Sequence, residues 1–123
     1  MIVEDHPVLR SLCTTVLASA GHQVISAANG SDAIALAEKH QPHLILMDYG
    51  LPDMTGVEAY KQILSAPVIF LSGYTVEKVS QEINTTWPAS VMQKPFLIED
   101  LQHAVIEGLT TGPKTSDLLQ ARK

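Results

Sequence analysis

The chain has 123 residues, 46% hydrophobic and 17% charged, enough apolar material for one cored domain and too much for general disorder. Eight basic against thirteen acidic residues give a net charge of −5, which argues against direct nucleic-acid binding, a task for clustered Lys and Arg. Cys13 is the only cysteine, so no intrachain disulfide forms, and no apolar run nears the ~18 residues of a membrane span; with Glu4 and Asp5 where a leader would be basic, the expected compartment is the cytoplasm.

Short β-branched runs alternate with segments of helical spacing. Met1–Glu4 (MIVE) reads as a first strand. From Pro7 to Ala20, residues Val8, Leu9, Leu12, Cys13, Val16, Leu17 and Ala20 form one apolar stripe. Pro7 suits the first turn of that helix and Gly21 its stop. Gln23–Ala27 is the second strand. Ser31 is the expected N-cap of a helix over Asp32–His40, with Ile34 and Ala37 inward and Pro42 beyond its end. His43–Met47 and Val68–Leu71 are nearly continuous apolar runs, the pattern of strands covered on both faces. Gly56–Leu64 lies between them as the third helix. Thr75–Ile83 is the fourth, with Val76, Val79 and Ile83 in register, and Ser90–Gln93 is the fifth strand. Ile98–Leu109 is the fifth helix, lined by Leu101, Val105 and Leu109. Cys13 and Trp87 read as packing residues. Residues 110–123 are polar, contain Gly112-Pro113 and read as a C-terminal tail or linker with a short helix over 116–122. A β-α unit repeated five times over residues 1–109 implies right-handed crossovers and a doubly wound parallel sheet of the α/β class.

In such a sheet, ligands bind beyond the carboxyl ends of the strands. The predicted strands end there in Glu4-Asp5, Asp48, Ser72 and Lys94. Each alone is an ordinary cap, turn or loop residue. Together they form a coherent group. Carboxylates crowded at one edge need a cation, and a modest number of hard oxygen ligands suits Mg²⁺. Asp48 is then a carboxylate nucleophile able to form an aspartyl phosphate, with Ser72 and Lys94 available to phosphoryl oxygens. The five histidines show no metal-ligand spacing, and His6 reads as opening the first helix.

These residues resemble the receiver (response-regulator) family of two-component signalling systems. The resemblance rests on Val3-Glu4-Asp5-His6-Pro7, on Leu46 through Gly56 (LMDYGLPDMTG), on Phe70-Leu71-Ser72-Gly73 and on Lys94-Pro95-Phe96. It implies a flavodoxin-like strand order of 2-1-3-4-5. It implies Asp48 as phosphoacceptor, Asp5 as direct Mg²⁺ ligand with Glu4 as its acidic companion acting through water, and a metal-binding backbone carbonyl at Gly50. Ser72 matches the switch hydroxyl and Lys94 the family's lysine, with a cis Lys94–Pro95 bond. The expected partner is a histidine kinase or histidine phosphotransfer protein. The fourth helix, fifth strand and fifth helix form the readout surface, open to self-association as a homodimer. The chain is then a phosphoacceptor switch that assists its own phosphorylation and dephosphorylation, rather than an enzyme in the usual sense. It is expected to be either a stand-alone receiver or the receiver of a longer protein such as a hybrid histidine kinase.

Three positions depart from the pattern. Val91 stands where the family commonly places an aromatic ring three residues before the lysine, so the usual ring-turning coupling cannot operate as usual. The stretch from Gly56 to Pro67 is short. Tyr74, two residues past Ser72, sits where access to the phosphoryl group is influenced. An aspartyl phosphatase would want a second Asp two residues after the nucleophile, and Gly50 is there instead. A phosphate-independent pseudo-receiver acting as a protein-binding module draws its support from Val91.

Overall fold

The structure, a computed structural model, describes residues 1–110. Five parallel strands form one sheet: β1 (Ile2–Val3), β2 (Ser26–Ala27), β3 (Ile45–Asp48), β4 (Val68–Ser72) and β5 (Ala89–Gln93), in the order β2-β1-β3-β4-β5. Five helices connect them: α1 (Pro7–Ser19), α2 (Gly30–His40), α3 (Gly56–Lys61), α4 (Val76–Ser80) and α5 (Ile98–Thr110). Fold class and strand order are those expected.

The side-chain alternation of the strands builds two cores. Val3, Ile45, Met47, Val68 and Phe70 face one way and pack with Ala33 of α2, Val57, Ala59 and Tyr60 of α3, and Val79 of α4. Ile2, Leu46, Ile69 and Leu71 face the other way, against Cys13 and Leu17 of α1 and Leu101 and Val105 of α5. The inner strands β1, β3 and β4 are therefore apolar up to their carboxyl ends, because both faces are covered, while the edge strands β2 and β5 carry the more exposed Ser26 and Gln93. Trp87 is half-buried beside Tyr60, with ring centroids 5.1 Å apart, and it packs as expected.

Several boundaries and faces move from their predicted places. α2 begins at Gly30, and its N-cap is Asn29 rather than Ser31. The Asn29 side chain accepts from the Asp32 N–H at 2.8 Å, while the N–H groups of Gly30 and Ser31 find acceptors on a different loop. Acceptors supplied to the Gly30 and Ser31 N–H groups from another loop leave no local sequence signal. Val8 and Leu12 point outward, with Val8 70% exposed, because α1 meets the sheet through Cys13 and Leu17 and the predicted stripe is wider than that contact. Ala33 is buried in α2 where Ile34 is only half-buried. Val76 is exposed at the start of a short α4, although Val79 and Ile83 are buried. In α5 the inward line runs Leu101, Val105, Gly108; Gly108 packs against Leu44, which turns Leu109 outward. The edge strand β2 is only two residues long, and α3 ends after Lys61, consistent with the short segment before Pro67. α5 runs one residue past its predicted end, and the helix expected at 116–122 lies outside the described residues. Among the described residues no helix is long and apolar enough to cross a membrane.

Candidate functional site

The carboxyl ends of β1, β3, β4 and β5 converge, as the topology requires. Glu4 follows β1 directly and is 1% exposed. Its Oε1 accepts from Lys94 Nζ at 2.8 Å, and its Oε2 accepts from the His6 N–H at 3.1 Å. His6 in turn is the N-cap of α1, accepting from the Leu9 N–H, so it opens the helix as expected. Asp48 ends β3, is 6% exposed, and its Oδ1 accepts from Lys94 Nζ at 3.1 Å. Asp5 is exposed beside them. Oxygens of Glu4, Asp5 and Asp48 all lie within 4.8 Å of one another.

Burial and like charge set the electrostatics. Burial pushes the Asp48 carboxyl up to about 6, the Glu4 charge adds to this, and the Lys94 ammonium opposes it. Burial works against the Lys94 charge too, but its hydrogen bonds to Glu4 and Asp48 prevail, and its pKa stands above the ordinary lysine value. One ammonium thus serves two buried carboxylates with a third carboxylate alongside. The site is short of positive charge, and its donors are hard oxygens close enough to share one ion. That chemistry fits Mg²⁺.

Ser72 ends β4 and is buried. Strand pairing sets Leu71 beside Asp48, and the Lys94 N–H donates to the Ser72 carbonyl at 2.6 Å, which ties β5 to the same corner. The Ser72 Oγ accepts from the Tyr74 N–H at 2.9 Å. The Lys94–Pro95 bond is cis, as the resemblance implied. Gly50 lies two residues past Asp48 in the loop leading to α3, and its backbone bridges to Thr55. Each predicted site residue is therefore at this edge.

Four contacts carried no readable signal. The Arg10 guanidinium donates to the carbonyls of Glu4 at 2.8 Å and Asp5 at 3.3 Å, fixing the acidic turn. Tyr49, next to the nucleophile candidate, faces the α4 side, where its hydroxyl donates to Glu82 at 2.5 Å; that bond first, then burial, pushes the phenol up to about 12. The Tyr74 ring packs edge-on to Tyr49, centroids 5.6 Å apart, with Lys78 Nζ 5.2 Å from its centre. Asp53 accepts from two backbone N–H groups of α2. Tyr49 with Glu82, Tyr74 with Tyr49 and Asp53 with α2 join partners distant in sequence that meet only after folding, whereas the spacing of Arg10 from Glu4 is unremarkable in a helix start.

A family model described as the response regulator receiver domain matches residues 1–106. The chain belongs to the response regulator receiver family. Among curated relatives, this receiver is 31% identical to Sporulation initiation phosphotransferase F of Bacillus subtilis over 109 residues, covering 85% of this chain and 88% of that protein. It is 29% identical to Transcriptional regulatory protein PdtaR of Mycobacterium tuberculosis over 109 residues, covering 85% of this chain but 53% of that one. The receiver thus spans about half the length of that relative. Among solved structures it resembles the receiver domain of the hybrid histidine kinase CckA, with TM-score 0.74, 28% identity and coverage of 88% and 95% of the two chains. It also resembles a receiver domain protein from Methanospirillum hungatei, with TM-score 0.77, 29% identity and coverage of 88% and 90%.

Proposed function

We propose that this receiver is the phosphoacceptor switch of a His-Asp phosphorelay, with Asp48 as the phosphorylated residue. The observation that carries the reading is Lys94 bridging buried Glu4 and Asp48, with Asp5 and Ser72 at the same edge. Glu4, Asp5, Asp48 and the Gly50 carbonyl would hold Mg²⁺. When bound, the ion supplies charge neutralisation for the incoming phosphoryl oxygens. Asp48 attacks the phosphorus of a phosphohistidine; the new O–P bond forms as the P–N bond breaks, and the imidazole leaves with a proton. Lys94 and the Ser72 hydroxyl stabilise the transferred oxygens, and that pull on Ser72 competes with its bond to Tyr74 at the head of the β4–α4 loop. The relay to α4, β5 and α5, the surface we assign to readout and to any homodimer, runs without a ring at residue 91.

The donor is a histidine kinase or phosphotransfer protein, a phosphotransfer role supported by the likeness to Sporulation initiation phosphotransferase F, and the proposed compartment is the cytoplasm. A place within a hybrid kinase is supported by the likeness to the CckA receiver. Val91 favours one other reading, a pseudo-receiver that binds partners without phosphate.

Incubation with Mg²⁺ and acetyl phosphate separates the two. Intact mass is expected to show one acid-stable, base-labile phosphoryl group, absent in Asp48→Asn. No uptake from this donor or from a cognate kinase sinks the switch; uptake that survives in Asp48→Asn moves the site. Proton competition gives a further expected result. Asp48 holds a proton below about pH 6 in the metal-free protein, so the ion must displace it there. Mg²⁺ affinity by titration calorimetry is expected to be flat above pH 7 and to fall up to about tenfold per pH unit below 6. A flat profile from pH 8 to 5 contradicts the raised carboxyl.

A further inference from the structure

The loop between Asp48 and α3 holds a residue that the reading above leaves without a role. Asp53 is exposed, yet both its oxygens are engaged by a helix more than twenty residues away in sequence. Its Oδ1 accepts from the Gly30 N–H at 2.8 Å and its Oδ2 from the Ser31 N–H at 3.0 Å. Those two N–H groups hold its carboxyl below the usual carboxylate range. Met54, the next residue, lies on Gly30 so closely that a Cβ there would sit 2.5 Å from Met54 Cγ. The first turn of α2 thus receives the tip of this loop as a fitted partner.

Leu51 and Met54 pack against the core, and the base of the loop is tied by hydrogen bonds. The Gly56 N–H donates to the Tyr49 carbonyl at 2.7 Å, Gly50 bridges Thr55, and Thr55 makes a reciprocal capping box with Glu58. Gly50 itself is exposed, and its Cβ position is open space. It has no side chain of its own to fix the direction of its carbonyl. That direction follows from the path of the loop, which the bridge to Thr55 holds at its base and Asp53 holds at its tip.

We propose that Asp53 is a positioning residue for the metal site: by clamping the loop tip to α2 it orients the Gly50 carbonyl toward the cation held by Asp5 and Asp48. This rests on the Mg²⁺ reading above. Outer groups that orient ligands of a metal are typically worth about 10–100-fold in affinity. The clamp acts through a backbone ligand among several, so the lower end applies.

The test is Asp53→Ala in the full chain, with Mg²⁺ alone as titrant in a calorimeter, followed by the rate of acetyl phosphate uptake as a function of Mg²⁺. The expected result is a Kd about tenfold weaker, a matching rise in the Mg²⁺ concentration for half-maximal rate, and an unchanged maximal rate, because Asp48, Ser72 and Lys94 are intact. Asp53→Asn, which keeps one acceptor oxygen, is expected to fall between. If Asp53→Ala binds Mg²⁺ as the wild type does, or lowers the maximal rate and the melting temperature of the metal-free protein with Kd unchanged, the clamp is only structural and the proposal is overturned while the Asp48 reading stands. If the wild type itself takes up no Mg²⁺, both fall together.

Discussion

Gly56→Ala is expected to destabilise this receiver by about 4 kcal/mol, at the upper end of what a single added methyl does. A Cβ at this position would lie 2.3 Å from the Asp48 carbonyl oxygen and 2.8 Å from Met47 Cγ. The Met47 side chain could yield, but the carbonyl belongs to the sheet. Pairing of β3 with β4, the Tyr49 N–H on the Leu71 carbonyl at 2.8 Å and the Gly56 N–H on the Tyr49 carbonyl at 2.7 Å hold both sides of the clash in place. Relief requires α3 to withdraw from β3, which opens the core around Val57 and Tyr60 and tilts the strand end that carries Asp48. Thermal unfolding followed by circular dichroism should show a drop of more than 10 °C, on a scale of roughly 4 °C per kcal/mol for a domain of this size. A midpoint within 3 °C of the wild type would mean that β3 and α3 separate far more easily than their contacts indicate.

Lys94→Met is the second large effect, and it depends on pH. The Lys94 side chain is 24% exposed, and its ammonium is the cation shared by two buried carboxylates. Removing it leaves Glu4 and Asp48 facing each other, which costs on the order of 3 kcal/mol for a broken buried pair. The sign with pH follows from Asp48. Its folded pKa is raised from 3.8 to about 6, so between those values the folded protein holds a proton that the unfolded chain has released. Its contribution to stability is therefore greatest below about pH 4 and is lost as pH rises through 6. Without Lys94 the carboxyl rises further. The deficit of Lys94→Met is expected to be largest at pH 7.5 and to shrink toward pH 5, where a proton takes the place of the ammonium. Added Mg²⁺ should recover part of it at pH 7.5. Equal deficits at both pH values, measured by the same thermal scans, would mean that Lys94 contributes packing rather than charge.

How much of this was legible in the sequence depends on the distance over which each feature is determined. The nearly continuous apolar runs His43–Met47 and Val68–Leu71 specify buried strands by themselves, because a strand covered on both faces has few polar positions to show. Glu4, Asp5, Asp48, Ser72 and Lys94 were legible together, since each ends a strand and parallel topology carries all such ends to one edge. Helix faces were less so. Periodicity marks an apolar side but not how much of it the sheet covers, which is why Val8, Leu12, Val76 and Leu109 emerge exposed. Gly108 was silent because its role is the space it leaves for Leu44. The Asp53 clamp and the Tyr49–Glu82 bond were illegible for a different reason: each joins residues more than twenty positions apart by one or two hydrogen bonds, and no local pattern encodes such a pairing.

The edge-on stack of Trp87 on Tyr60 has an optical consequence. Trp87 is the only tryptophan, and it stands just before β5, at the opposite end of the sheet from Asp48. Its indole emission comes from the corner where α3 meets the start of β5, far from the charges that a cation or a phosphoryl group would bring. The chain therefore carries a built-in fluorophore that reports unfolding of the α3 side of the core and stays dark to events at the acidic edge. Signals of the switch itself must be sought in the tyrosines, above all Tyr49 and Tyr74, whose phenol absorption lies beside the nucleophile and on the path to α4.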